Sequence, residues 1–318
     1  MTTRATTAAP LRLGTRASLL ATTQSGLVAD ALRVATGREV ELVRITTDGD
    51  VLTGPLAQLG GTGVFVAALR DALLRGECDL VVHSMKDLPT GGVAGLQIGA
   101  VPPRASVRDV LCGRDGLALA DLPQGAVVGS GSPRRVAQLL RARPDLEVRS
   151  IRGNVDTRLR KVDDGEFDAI VLAEAGLSRI GRTDRITDTF DAARWPASAG
   201  QGALAVEVRT GDAVAPLVER LSDADAEATA LLERAVLRRL EAGCAAPVGI
   251  TAVVSGDDVS LVAEVYALDG TRAVRVERTF ARGAVAGSDG RGDAAEAVVR
   301  ELLDAGAGDL ADLAGSGK

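Results

Sequence analysis

The sequence predicts two α/β domains followed by a smaller α+β domain at its C-terminal end. Three observations carry that prediction. Strand-like and helix-like segments alternate through the first two-thirds of the chain, the pattern of a sheet with helices on its faces. Two irregular stretches, Val101-Pro102-Pro103-Arg104 and Trp195 to Gly202, interrupt the alternation where the chain would cross between domains and return. From about Ala224 the alternation stops, and an amphipathic helix is followed by three alternating strands and a last helix.

Each element has a local cause. Leu11 to Gly14 reads as a short strand, and Ser18 as the N-cap of a helix that runs to about Ala35 and is closed by Gly37. Val40 to Thr46 reads as a strand, Val64 to Arg75 as a helix ended by Gly76, and Leu80 to His83 as a buried strand. In the next domain Ala126 to Val128, Leu146 to Ser150 and Ala169 to Ala173 read as strands. Between them a helix starts at Pro133 behind Ser132, and another at Val155 behind Asn154. Ala226 to Leu240 is a helix broken by Gly243-Cys244-Ala245-Ala246-Pro247. Gly249 to Val254, Ser260 to Ala267 and Ala273 to Phe280 then alternate as strands, joined by turns at Gly256-Asp257-Asp258 and Asp269-Gly270. A helix over Ala294 to Leu303 precedes a Gly/Ala/Asp-rich tail that is expected to fray. There is no tandem repeat, but the two α/β domains could share a topology.

Composition narrows the function. The 318 residues suffice for two or three domains, and 46% hydrophobic with 25% charged residues is ordinary for a soluble protein. A net charge of -6 and 2% aromatic residues argue against a dedicated nucleic-acid binder, which wants a basic stripe and stacking rings. Cys78, Cys112 and Cys244 are far apart and have no metal-ligand spacing. No disulfide framework and no metal site are therefore expected, and a reducing cytoplasm is the expected compartment. The polar stretch from Met1 to Pro10 has no apolar signal-peptide core, and no apolar run approaches membrane-spanning length, so no membrane partner is expected.

Two arginine-bearing turns stand out against this acidic background. Ser130-Gly131-Ser132-Pro133-Arg134-Arg135 and Arg152-Gly153-Asn154 each sit where a helix begins. Cations are unfavourable in a first helical turn, so their gathering there points to an anionic ligand. The alternative is that they are solvated or paired with nearby carboxylates. Asp79 to Pro89 forms a second cluster, in which an apolar strand ends in His83-Ser84-Met85-Lys86-Asp87. Functional groups collect at the carboxyl ends of strands in open α/β sheets. Asp87 is there a candidate general acid or charge stabiliser, or else a cap of the loop. His83, the only histidine, reads as a hydrogen-bonded structural residue or else as a base or ligand. Gly60-Gly61-Thr62-Gly63 is a candidate anion cradle or a plain tight turn, and lacks the Lys of a Walker A loop. Cys244, on a loop between a helix-ending glycine and a proline, is an accessible thiol or a small buried filler; Cys78 and Cys112 read as structural.

Taken together these segments resemble the porphobilinogen deaminase family. The residues that carry the resemblance are Thr15-Arg16-Ala17-Ser18, Val82 to Pro89, Gly131 to Arg135, Arg152 to Leu159, Gly200-Gln201-Gly202-Ala203 and Leu240 to Gly249, in the family's order along nearly the whole chain. The resemblance implies two α/β lobes, like those of periplasmic binding proteins, around a cleft. Residues 11–103 with 201–222 would form the first lobe and 104–200 the second. Residues 223–318 would form a C-terminal α+β domain carrying Cys244. Hinge motion at the crossings would make room for a growing product.

The same resemblance implies a transferase of heme and porphyrin biosynthesis. It would join four porphobilinogen molecules head to tail, with loss of ammonia, into hydroxymethylbilane. The primer would be a dipyrromethane cofactor held by a thioether to Cys244. Asp87 would be the catalytic acid, acting on the departing aminomethyl group and on the azafulvene that remains. Lys86, Asp87, Ser132, Arg134, Arg135 and Arg158 would contact the cofactor. Arg16, Ser18, Arg152, Arg158 and Arg179 would hold substrate carboxylates, with Gln201 near the cleft. A monomer is expected. The chemistry suits these residue types. Each pyrrole brings two carboxylates, and a carboxylate at the reacting ring stabilises the charge left when ammonia departs. A thiolate adds readily to such an electrophile. One position departs from the family: Thr62 stands where a lysine is usual, so one cation is missing from that turn. The rival reading is a two-lobed receptor for a small polyanion, which would have no reason to expose Cys244. A second is an unrelated thiol enzyme, which would lack a histidine-like partner.

Overall fold

The computed structural model describes residues 9–45, 63–242, 246–311 and 313. Numbered along the chain, its strands are β1 Leu11–Thr15, β2 Val40–Arg44, β3 Leu80–Ser84, β4 Leu96–Ala100, β5 Asp109–Gly113, β6 Val127–Gly129, β7 Glu147–Arg149, β8 Ala169–Ala173, β9 Asp188–Thr189, β10 Leu204–Arg209, β11 Val248–Ser255, β12 Asp258–Tyr266 and β13 Ala273–Ala281. The helices are α1 Leu19–Thr36, α2 Gly63–Leu74, α3 Pro133–Ala142, α4 Val155–Asp163, α5 Glu174–Arg179, α6 Ala215–Glu219, α7 Ala224–Arg239 and α8 Ser288–Asp304. The chain divides into two compact units, Met1–Pro103 with Leu204–Asp223, and Arg104–Ala203 with Ala224–Lys318.

The first unit is built on a five-stranded sheet of order β2-β1-β3-β10-β4. β1 runs parallel to β2 and β3, and β10 is antiparallel to β3 and β4. Helix α1 starts where expected, with Ser18 Oγ accepting from the Ala21 N–H at 3.4 Å, and ends at Gly37, whose φ of 66° is left-handed. It lays Val28, Ala29 and Leu32 on Leu11, Leu13, Leu80 and Val82. Helix α2 covers the other face, where Leu69, Ala72 and Leu73 meet Val81 and Leu96. With both faces covered, β3 reads as a continuous apolar run rather than an alternation.

The second unit contains two sheets. The first has the order β7-β6-β8-β5-β9. β6 is parallel to β7 and β8, and β5 is antiparallel to β8 and β9. Taken by role, this is the arrangement of the first unit: a parallel trio, an antiparallel fourth strand contributed from outside the run, and an edge strand. The α/β expectation holds, and so does the shared topology. The second sheet is the antiparallel meander β11-β12-β13. Ser255 pairs with Asp258 across a two-residue turn led by Gly256 at φ 62°. Leu232, Val236, Val298 and Leu302 of α7 and α8 cover one face of it.

Glu233 of α7 is fully buried and binds the unit's own ends of both chain crossings. Its carboxylate takes two bonds from Arg104, at 2.9 and 2.7 Å, and the N–H groups of Gly200 and Ala252, each at 2.7 Å. Gly202, at φ 84°, lies so close to the backbone that a Cβ would sit 2.4 Å from the Ala105 carbonyl oxygen, which excludes any other residue.

Candidate active site

In the first unit, the loop after β1, the start of α1, the middle of α2 and the end of β3 enclose a cavity of about 200 Å³. Arg16, Ser18, Gln24, His83, Ser84 and Asp87 supply its polar lining, and Leu20, Ala21, Val66, Leu69 and Val82 its apolar wall. Asp87 closes the 3₁₀ turn Met85–Asp87 that follows β3. Its carboxylate makes no hydrogen bond or ion pair among the described residues, so it does not cap the loop. Arg16, Ser18 and Asp87 therefore share one cavity. Ser18 spends its oxygen on the α1 cap, and Gln24 Nε2 donates to Ser84 Oγ at 2.9 Å.

His83 is 5% exposed, and its Nε2 lies 3.0 Å from Glu207 Oε2 on neighbouring β10. Glu207 also takes bonds from Arg70 Nε at 2.9 Å and Nη2 at 2.7 Å. Burial alone would raise the Glu207 pKa, but the close approach of His83 and the hydrogen bonds from Arg70 outweigh it and bring the carboxyl down to about 2. The sequence did not single out Arg70, Glu207 or Gln24. The available signal was a glutamate in the middle of the apolar run Leu204-Ala205-Val206-Glu207-Val208, where an unpaired charge would be costly.

In the second unit the arginine turns take different forms. Arg134 and Arg135 are 2% and 7% exposed, not displayed at the helix start. Both reach the fully buried Asp109 of β5. Arg134 Nη1 donates to Oδ2 at 2.8 Å and Arg135 Nη2 to Oδ1 at 2.6 Å. Gln201 Nε2 and Trp195 Nε1 complete the set at 2.8 and 3.2 Å. Burial pushes the Asp109 carboxyl up, but the two guanidinium groups prevail and hold it far below the usual range. The pairing reading of these arginines thus holds for part of each side chain: the two first-turn cations share the single carboxylate of Asp109. The Nε–H of each is buried and has no partner among the described residues. Ser132 stands at the N-cap of α3, but its side chain makes no capping bond; its N–H donates to Ser130 Oγ at 3.2 Å.

The second turn is built as expected. Asn154 Oδ1 accepts from the Thr157 N–H at 2.9 Å, and Gly153 has φ 116°. Arg152 is exposed and makes no hydrogen bond or ion pair among the described residues. Arg158 Nε donates to the Gly153 carbonyl at 2.7 Å, which stiffens the turn. Arg179 Nη2 donates to the Gly202 carbonyl at 2.6 Å; it has no carboxylate partner among the described residues, and burial lowers its pKa. Cys78 and Cys112 are buried, and burial pushes their thiols up to about 11 and about 12. Cys244, Gly60, Gly61 and Thr62 lie outside the described residues. Among the described residues no cluster of metal-ligating side chains occurs, and no helix is long and apolar enough to cross a membrane.

Fold and site together define a two-unit α/β protein whose buried and half-buried arginines suit a carboxylate-rich ligand. Residues 11–216 match the family model described as porphobilinogen deaminase, dipyromethane cofactor binding domain, and residues 228–299 match the porphobilinogen deaminase C-terminal domain. A porphobilinogen deaminase of Leifsonia xyli is 52% identical over 96% of this chain and 95% of its own length. One of Thermobifida fusca is 56% identical over 85% of each chain. The chain belongs to the porphobilinogen deaminase family. It is a transferase that assembles porphobilinogen into hydroxymethylbilane on a dipyrromethane cofactor. Among solved structures, the VFT2 domain of Bordetella pertussis BvgS resembles it at a TM-score of 0.40 and 16% identity, covering 66% of this chain and 85% of that one. Likeness at that level adds nothing to the strand orders above.

The described residues fit the cofactor. Two buried guanidinium N–H groups that have no acceptor among the described residues, on Arg134 and Arg135, are of the type that carboxylate groups of a dipyrromethane require.

Proposed function

We propose that the cavity of the first unit is where porphobilinogen reacts and that Asp87 is its catalytic carboxylate. The observation that carries this reading is a carboxylate with no protein partner among the described residues, set in a cavity with Arg16 on one side and an apolar wall on the other. Arg16 and Ser18 hold a substrate carboxylate. Asp87 faces the aminomethyl end, where it guides the proton that leaves with ammonia and stabilises the positive charge left on the ring. The apolar wall of Leu20, Val66 and Leu69 keeps water away, which strengthens that electrostatic contribution.

When bound, dipyrromethane supplies the pyrrole carbon to which the first substrate ring is joined. Lys86, Ser132, Arg134, Arg135 and Arg158 hold its carboxylates, and Arg152, Arg158 and Arg179 hold those of the growing chain. Cys244 carries the thioether. Two facts support that choice among the cysteines: Cys78 and Cys112 are buried, and their thiolates are disfavoured. The enzyme acts as a monomer in the cytoplasm, a compartment that suits its unpaired Cys78 and Cys112.

Replacing Asp87 by Ala tests the central claim. Porphobilinogen turnover, followed by ammonia release, is expected to fall by on the order of 10²–10⁴ with an unchanged circular-dichroism melt. Turnover near the wild-type value would remove Asp87 from the mechanism.

A further inference from the structure

The family's reaction leaves one buried group beside Asp87 without a role. His83 lines the same cavity, and behind it Glu207 and Arg70 form a buried charged pair. Glu207 is 3% and Arg70 8% exposed. Folding takes such a pair out of water at a large desolvation cost, and core packing alone would be as well served by apolar residues. The pair has a directed end. Nε2 of His83 sits 3.0 Å from Glu207 Oε2, with its N–H turned off the line to the oxygen. An unprotonated Nε2 there would set its lone pair against a carboxylate. The ring proton therefore belongs on Nε2, where rotation of the ring brings it onto the carboxylate. Nδ1 is left with a lone pair, and it has no partner among the described residues.

A count of acceptors gives that lone pair its use. Porphobilinogen presents two carboxylates, which need donors, and two nitrogen groups, the pyrrole N–H and the aminomethyl group, which need acceptors. Of the side-chain acceptors that line the cavity, Ser18 Oγ is taken by the α1 cap, and Gln24 and Ser84 bond to one another. Among the described residues, Asp87 and His83 Nδ1 remain. We propose that Glu207 is a positioning residue acting through His83: it fixes the imidazole so that Nδ1 accepts a hydrogen bond from a substrate N–H beside Asp87. Arg70 holds Glu207 in place through its two-bond contact. This inference rests on the reading of the cavity as the substrate site.

The chain has a single histidine, so its ring nitrogens can be read without assignment by long-range ¹H–¹⁵N correlation on the ¹⁵N-labelled holoenzyme. At mildly alkaline pH the expected spectrum has a protonated, pyrrole-like Nε2 and an unprotonated, pyridine-like Nδ1. In Glu207→Gln the two tautomers are expected to mix. His83→Phe, which leaves the Arg70–Glu207 pair intact, is expected to raise KM for porphobilinogen by on the order of tenfold, the loss of one hydrogen bond, with kcat less affected. A merely structural defect would lower the melting temperature and kcat instead. A proton on Nδ1 in the wild type, or a His83→Phe enzyme within about twofold of wild-type KM, overturns the proposal. Failure of the underlying site reading looks different: Asp87→Ala and Arg16→Leu would both turn over normally, whatever the tautomer.

Discussion

Asp109→Asn isolates the electrostatic centre of the second unit. In the wild type, Oδ1 receives Arg135 at 2.6 Å and Gln201 at 2.8 Å, and Oδ2 receives Arg134 at 2.8 Å and Trp195 at 3.2 Å. Asparagine keeps one oxygen and turns an NH2 group toward two donors at the other. At least one charge-assisted bond is lost, a contribution of about 1.5–3 kcal/mol. Arg134 and Arg135 are also left side by side without a counter-charge. Breaking a buried pair in this way costs about 3–5 kcal/mol, and that total is expected here. Trp195, the only tryptophan, stacks on Phe190 at 4.3 Å and donates to Asp109, so its fluorescence reports the affected region directly. The urea midpoint should fall by about 1–2 M. The triple change Asp109→Leu, Arg134→Leu, Arg135→Met should lose less, because it buries no orphaned charge. A single Asn variant within about 1 kcal/mol of wild type would refute the reasoning.

Other consequences are open to measurement. Intact-protein mass spectrometry should find an increment of two pyrrole units that is absent in Cys244→Ser. Arg152→Leu, at an exposed position without a partner among the described residues, should impair substrate handling while leaving the stability within about 0.5 kcal/mol of wild type in urea. Glu233→Gln removes the charge that meets Arg104 and should cost about 3–5 kcal/mol in the same unfolding assay. The Glu207 carboxyl, at about 2 against about 4.3 unfolded, contributes stability that is fully present above about pH 4.3. That contribution, on the order of 2–3 kcal/mol, is lost as the pH falls through about 2 and should be missing in Glu207→Gln.

The longer helices and the parallel strands were legible because their causes are local, whereas the short helices α5 and α6 and the edge strands β4 and β9 were not read. Ser18, Gly37, Asn154 and Pro133 mark ends that the structure reproduces within a residue or two, and Ala169–Ala173 is a plain apolar run. The antiparallel strands β5 and β10 were not read. Each carries a buried carboxylate, Asp109 or Glu207, that breaks the apolar pattern and is neutralised only by residues distant in sequence. The same cause explains the arginines. Arg134 and Arg135 look like displayed cations because Asp109, 25 and 26 positions away, has no local signature as their partner. Asp87 was legible as a candidate because the strand-end cluster and its proline are contiguous, whereas Arg16, which lines the same cavity, was marked only by the family resemblance. Glu233 lies on an ordinary amphipathic helix, and only tertiary structure shows what it holds.

The strand orders have a consequence for synthesis. A nascent chain that has reached Pro103 holds β1 to β4 but nothing to place between β3 and β4, because β10 is encoded a hundred residues later. The sheet that begins first therefore cannot close until Arg209 has left the ribosome. All the strands of the next sheet, from Asp109 to Thr189, emerge before that, so the sheet translated later is the one able to form sooner.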